Sequence, residues 1–257
     1  MPAVVEQVAG VTTDEFLADY SAVCPIHIDI ARAGIDSLAA FHRGKPFDEK
    51  LLSPLADIER RWYDSLDAGA PDFSIYGDQW YFADLWVCWE LASKSYLEDV
   101  AGISGADSLF STALPVVDLG CGLGHTTAAL AEMFPRARVI GTNIDGTKQW
   151  EFCRTMADRH GFGLVSDIAE IAPPVAFVFA SEYFEHIQDP VGHLVEVLDH
   201  LRPAVFCVAN AFTVQWMGHF RHVDTMDGLF RKTLRQKGYR PFKTGFANGR
   251  PEIWVFE

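Results

Sequence analysis

Asp118-Leu119-Gly120-Cys121-Gly122-Leu123-Gly124 sets one carboxylate before three glycines at alternate positions, directly after the apolar run Pro115-Val116-Val117. Glycines there let the backbone take positive φ and let a ligand approach where a Cβ would collide. The run before them reads as a short buried strand ending at Asp118 and Leu119, and Thr126 through Phe134 as a helix. A strand, a tight turn and a helix are the local form of a nucleotide-binding crevice. A dinucleotide fold asks for Gly-x-Gly-x-x-Gly. Here the third glycine comes one residue too early, and a carboxylate two places before the first glycine repels phosphate. The same carboxylate suits an ammonium group, so the favoured guest is a cationic, phosphate-free nucleoside.

The remaining residues with chemistry to offer sit at the ends of further expected strands. The segment 137–145 reads as a second strand, whose end in a nucleoside crevice supplies a side chain to the ribose hydroxyls. Asn143 is the first candidate and Asp145 the second. Residues 175–180 form a near-continuous apolar run, as in a strand buried on both faces. It leads to Glu182 and Tyr183, expected to face the site, and to Glu185 and His186, expected to be architectural. After a fifth strand at 204–209, a long loop carries Asn210, Trp216, His219, Arg221 and His222. Loops on that edge line substrate pockets, so these are candidate acceptor contacts. Asp189 is placed to cap a helix whose first turn takes Pro190. A helix over 225–237 and two closing strands near 241–246 and 253–257, joined by Asn248-Gly249, complete the pattern.

Residues 118–124 resemble motif I of the class I S-adenosylmethionine (SAM) dependent methyltransferases. The resemblance continues through Asp167 after a third strand at 163–168, the run Glu185-His186-Ile187-Gln188-Asp189-Pro190, and the terminator Arg202-Pro203. It covers about residues 113 to 257. It implies an α/β, Rossmann-like seven-stranded sheet, mostly parallel with an antiparallel last strand, and SAM as cofactor. By the same resemblance, Asp118, Gly120, Cys121 and Gly122 surround the methionine part, and Asn143, Ile144 and Asp145 lie at the ribose. Asp167 and Ile168 lie at the adenine, and Glu182 completes the cofactor set. The family usually has an acidic residue where this chain has Asn143.

The implied activity is in-line methyl transfer to an oxygen, nitrogen or carbon of a small molecule, in which the protein aligns the partners and excludes water. A base is needed only where the nucleophile loses a proton. Tyr183, His219 and His222 are the candidates. Two other readings keep the cofactor: an enzyme that cyclises or cleaves the methionyl chain and releases methylthioadenosine, and a SAM-binding protein without catalysis.

Residues 1–110 show no strand-like alternation and read as a helical cap, lid or dimerisation region preceding a SAM-binding catalytic domain over 111–257. Helices are expected from Thr12, over 25–41 and over 53–66. Residues 73–90 are dense in aromatics. Leu85, Trp86 and Trp89 fall at helical spacing and read as packing. Tyr76, Trp80 and Tyr81, at a Gly-Asp turn, are the lid candidates, because aromatic faces attract a desolvated cation by up to ~2 kcal/mol.

Composition narrows the partners. The 257 residues carry a formal net charge of −14, with pI near 5.0. Such a field repels polyphosphates and argues against nucleic acid. The basic run Arg231, Lys232, Arg235, Lys237 and Arg240 reads as a solvated helix face. The five cysteines, odd in number and without a Cys-x-x-Cys pair, argue against a disulfide framework or a metal site and fit a reducing compartment. Neither a leader-like amino terminus nor an apolar run of ~18 residues is evident. The expectation is a cytoplasmic protein acting on a small molecule, off the membrane, with a homodimer left open.

Overall fold

The computed structural model describes residues 12–103, 107–242 and 250–257. Helix α1 (Thr13–Val23) opens in a capping box: Thr12 Oγ1 accepts from the Glu15 N–H at 3.2 Å, and the Thr12 N–H donates to the Glu15 carboxylate at 2.8 Å. Helices α2 (Ile28–His42) and α3 (Glu49–Asp67) follow. The latter begins at Glu49 rather than at Ser53, because the Asp48 carboxylate caps it by accepting from Lys50 and Leu51 N–H. Pro54 is then carried inside the helix, at the loss of one backbone bond. A 3₁₀ turn (Phe73–Gly77), α4 (Tyr81–Cys88), a π-helical turn (Trp89–Ser93), α5 (Lys94–Ala101) and the single turn α6 (Asp107–Phe110) lead to the sheet.

The sheet half runs β1 (Val116–Asp118), α7 (His125–Met133), β2 (Val139–Thr142), α8 (Lys148–His160), β3 (Gly163–Val165), β4 (Phe177–Ser181), α9 (Pro190–Leu201), β5 (Val205–Ala209), α10 (Met226–Gln236), β6 (Tyr239–Phe242) and β7 (Glu252–Phe256). The seven strands lie in the order β3-β2-β1-β4-β5-β7-β6. Strands β1 to β5 are parallel, and β7 runs antiparallel between β5 and β6. Strands β2 and β3 are laid down on one side of β1 and β4 and β5 on the other, and the end of β1 at Asp118 lies level with Gly141 of β2 and Phe179 of β4. A crevice outside the carboxyl ends of the strands forms at such a switch point. The expected Asn248-Gly249 hairpin lies outside the described residues.

Successive residues of β4 feed the two faces of the sheet. Phe177 and Phe179 join the cluster shared with the amino-terminal helices, and Val178 and Ala180 join the one under α9 and α10. Phe16 of α1 stacks on Trp86 of α4 at 4.3 Å, and both rings border His125 of α7. The described residues of the amino-terminal helices therefore share a core with the sheet's first helices. The ends follow their caps: Asp189 accepts from the Gly192 N–H at 2.9 Å ahead of Pro190, and α8 stops at Gly161 in the left-handed region. The basic run is less bare than a solvated face. Arg231 pairs with Glu252, Lys237 with Asp199 and Arg240 with Glu257, while Arg235 lies over the Trp254 ring. Among the described residues, no helix is long and apolar enough to cross a membrane.

Candidate active site

The three glycines of the β1–α7 loop have φ of +67°, +54° and +89° at Gly120, Gly122 and Gly124, but they serve different ends. A Cβ on Gly124 would lie 3.0 Å from Cys153 Sγ and from Phe162, so this glycine lets α7 seat on α8. On Gly120 it would lie 2.3 Å from Cδ2 of Tyr183, whose ring rests on the loop. Gly122 has only ordinary neighbours and borders open space. The loop is sewn to the end of β2. Gly120 N–H donates to Thr142 Oγ1 at 3.0 Å, Cys121 N–H to the Thr142 carbonyl at 2.9 Å, and Asn143 Nδ2 to the Gly122 carbonyl at 2.7 Å. Asp118 is 2% exposed and accepts from Thr127 Oγ1 at 2.6 Å. Burial raises its pKa to about 7.

From this loop a cavity of about 580 Å³ runs under the amino-terminal helices, within the roughly 300–1,000 Å³ typical of small-molecule sites. Its walls come from α4 and the π turn, the β4 end, the loop after β5, and the close of α2. Two imidazoles meet there edge to face, His186 and His219, with ring centroids 4.6 Å apart. His219 Nδ1 lies 2.8 Å from the Val214 carbonyl, which can only accept, so Nδ1 carries the proton and Nε2 keeps its lone pair. Burial lowers the His219 pKa to about 4, so the ring is neutral at pH 7. The loop bearing it is clamped to α3: Trp62 Nε1 donates to the His219 carbonyl at 2.7 Å, and Tyr63 OH to the Trp216 carbonyl at 3.2 Å. At the β4 end Glu182 takes φ of +49°, a left-handed position rare for a side-chain-bearing residue. Its carboxylate accepts from Tyr96 OH at 3.3 Å. Behind it, Glu185 accepts from the Ala211 N–H at 3.0 Å and is held well above the carboxylate range by burial and then by the Glu182 charge.

The sequence candidates divide. Asp118, Gly120, Cys121, Gly122, Glu182, Trp216 and His219 line the cavity together. Asn143, Ile144, Asp145, Asp167 and Ile168 do not. They follow β2 and β3 on the same carboxyl edge, where Ile144 offers an apolar side chain at 44% exposure. Asn143 Oδ1 accepts from the Ile144 N–H at 2.8 Å, so its amide is bonded to the loop on both sides. Asp167 accepts from the Ala169 N–H at 2.8 Å and caps a 3₁₀ turn.

Other candidates point elsewhere. Tyr183 OH donates to His193 Nε2 at 2.9 Å, and His222 Nε2 donates to the Glu185 carbonyl at 3.2 Å. Arg221 pairs with exposed Asp67 and lies over the Tyr63 ring. The Asn210 carbonyl accepts from Arg250. Tyr76, Trp80 and Tyr81 do not form a surface flap. Tyr76 and Tyr81 are 7% and 3% exposed with crossed rings, and Trp80 packs on Gly34, because rings at a helix start are stabilised most by burial. Only Tyr81 of the three borders the cavity. The sequence reading missed Phe41, His42, Asp84, Tyr96 and Arg250. Asp84 alone carried a signal, as a lone carboxylate within the aromatic run Tyr81-Phe82-Ala83-Asp84-Leu85-Trp86.

Known proteins resemble this chain in both sequence and shape. A trans-aconitate 2-methyltransferase of Azoarcus sp. (strain BH72) is 38% identical over 93 residues, 35% of this chain and 36% of that one. A protein of the same name from Rhodopseudomonas palustris (strain BisB18) is 35% identical over 92 residues, 34% of each chain. The match thus spans about a third of the length of these relatives. The magnesium protoporphyrin IX methyltransferase of Synechocystis PCC 6803, solved with bound SAM, superposes with a TM-score of 0.51 at 18% identity, over 83% of this chain and all of that one. An O-methyltransferase family protein from Burkholderia thailandensis gives 0.51 at 12% identity, over 69% of this chain and 59% of that one. At such identities the likeness is one of fold. The methyltransferase domain family matches residues 110–238, half of the chain, and the chain belongs to that family.

Proposed function

We propose that this protein transfers the methyl group of S-adenosyl-L-methionine to a small molecule, at an oxygen, nitrogen or carbon nucleophile. The observation that carries the reading is one cavity joining the glycine loop, with its buried carboxylate, to a neutral imidazole of fixed tautomer. The residues present suit the cofactor. Asp118 with Gly120, Cys121 and Gly122 would hold the methionyl part beside Glu182, while Asn143, Ile144, Asp145, Asp167 and Ile168 would take the nucleoside along the edge. When bound, it supplies a methyl group already activated on a sulfonium. The chain's own work is to align the acceptor, exclude water with the rings of Tyr81, Trp89 and Trp216, and receive a proton at His219 Nε2.

The same cavity that borders the loop is also lined by His219, Trp216 and the close of α2, which favours a separate acceptor over attack by the methionyl chain on itself. Residues 1–110 would act as the cap that roofs this space. Five free thiols fit a reducing compartment such as the cytoplasm. Calorimetry with S-adenosylhomocysteine tests the cofactor, and absence of binding overturns the proposal. Incubation with SAM, alone and with an acceptor panel, tests the chemistry. Adenosylhomocysteine formed only with an acceptor supports transfer, whereas methylthioadenosine formed from SAM alone overturns it.

A further inference from the structure

The cavity wall made by α4, the close of α2 and the loop after β5 holds a buried carboxylate with one oxygen in use. Asp84 of α4 is 3% exposed; its Oδ1 accepts from Trp216 Nε1 at 3.0 Å and stands 4.0 Å from His42 Nε2. Among the described residues no hydrogen bond reaches Oδ2. Burial lowers the His42 pKa, so that ring is neutral at pH 7 and gives Asp84 no countercharge. Aromatic rings complete the wall: Trp216 stacks on Phe41 at 6.0 Å, and His42 meets Trp216 edge-on at 5.5 Å. Among the described residues lining the cavity, the only Lys or Arg is Arg250. It is committed to the Asn210 carbonyl and lies 3.9 Å from Glu182 Oε1.

A carboxylate taken out of water without a charged partner is costly, and a cation beside it in a water-poor, ring-walled space recovers that cost. A polycarboxylate of trans-aconitate's kind would instead meet Asp84 and Glu182, and among the described lining residues only Arg250, already bonded to the Asn210 carbonyl, could answer its charges. We propose that this wall of the cavity anchors an acceptor bearing an ammonium group, with Asp84 as countercharge and Trp216 and Phe41 as the rings beside it. The assignment rests on the methyl-transfer reading and deepens it by naming the acceptor's class.

Three probes share one ring and differ at its side-chain end: tyramine carries an ammonium, tyrosol a hydroxyl and 4-hydroxyphenylacetate a carboxylate. Their binding to the protein saturated with S-adenosylhomocysteine is read by calorimetry. Tyramine should bind about tenfold tighter than tyrosol, the scale of a hydrogen bond to a charged group, and the carboxylate weakest. Asp84→Asn, which keeps an acceptor for Trp216, should erase tyramine's advantage and leave adenosylhomocysteine affinity unchanged. Trp216→Leu, on the loop after β5, should weaken tyramine more than tyrosol and guards against a misfolded Asp84 variant.

Tyrosol or the carboxylate binding best, a tyramine preference that survives in Asp84→Asn, or silence of all three probes overturns the proposal. So does loss of adenosylhomocysteine affinity in Asp84→Asn, which would hand Asp84 to the cofactor. A wild-type protein that fails to bind adenosylhomocysteine at all sinks the underlying reading instead.

Discussion

On one side of the cavity, residues 118–124 with Thr142 and Asn143 make a wall from backbone and short bonds between neighbouring strands. In another wall, Asp84, His42 and Trp216 reach one place from α4, the close of α2 and the loop after β5. The first wall tolerates little, since its shape is set by positive φ and by glycines that rings lie against. The second is built from side chains on packed helices, so its chemistry can change without moving the sheet. The glycine wall goes with the fold, whereas the second wall is set by side chains that the fold leaves free to vary.

Four experiments break or sharpen that contrast. The largest effect is expected from His219→Asn, which keeps a donor for the Val214 carbonyl but removes the base. With a proton-losing acceptor kcat should fall by about 10²–10⁴-fold with adenosylhomocysteine affinity intact, and an unchanged kcat would remove His219 from proton transfer. Gly120→Ala comes next. It must hold a side chain at φ +67° against the Tyr183 ring, a strain on the order of 1–3 kcal/mol, so calorimetry should show adenosylhomocysteine affinity down by about tenfold or more. Wild-type affinity in that variant would mean the loop is not the rigid wall.

Asp84 is read on another scale, stability against pH rather than rate or affinity. Burial holds its pKa at about 7 against 3.8 in the unfolded chain, so the proton leaves the unfolded state first as pH rises. Thermal unfolding should show wild type losing stability relative to Asp84→Asn between about pH 4 and 7, with a constant difference above. A gap that widens in wild type's favour over that range would mean Asp84 is already paired. The smallest effect is expected from Arg221→Ala. Its partner Asp67 is exposed, so binding of either ligand should not change, and a selective loss of acceptor binding would bring Arg221 back into the site.

What could be read from the sequence follows the same division. Asp118 and the glycines announce themselves because a carboxylate, three positive-φ positions and a following helix are all local demands. The caps at Thr12 and Asp189 are local too. Tyr183 and His222 stood at the right distance along the chain, yet side-chain direction there is decided by His193 and by the Glu185 carbonyl, which no spacing reveals. Tyr76 and Trp80 read as lid residues beside Tyr81 because aromatic density is visible in sequence, while the packing that turns those two away from the cavity is not. Phe41 and His42 carried no signal at all; they matter only because α2 ends where Trp216 arrives.

The clamp from Trp62 and Tyr63 onto the carbonyls of His219 and Trp216 has a practical consequence for engineering. A chimera that swaps segment 210–222 for a relative's sequence, leaving helix 49–67 in place, would present foreign carbonyls to an indole and a phenol placed for others. Substrate range in this scaffold should be inherited by the two pieces as a pair, and libraries that diversify one alone will sample mostly misfits.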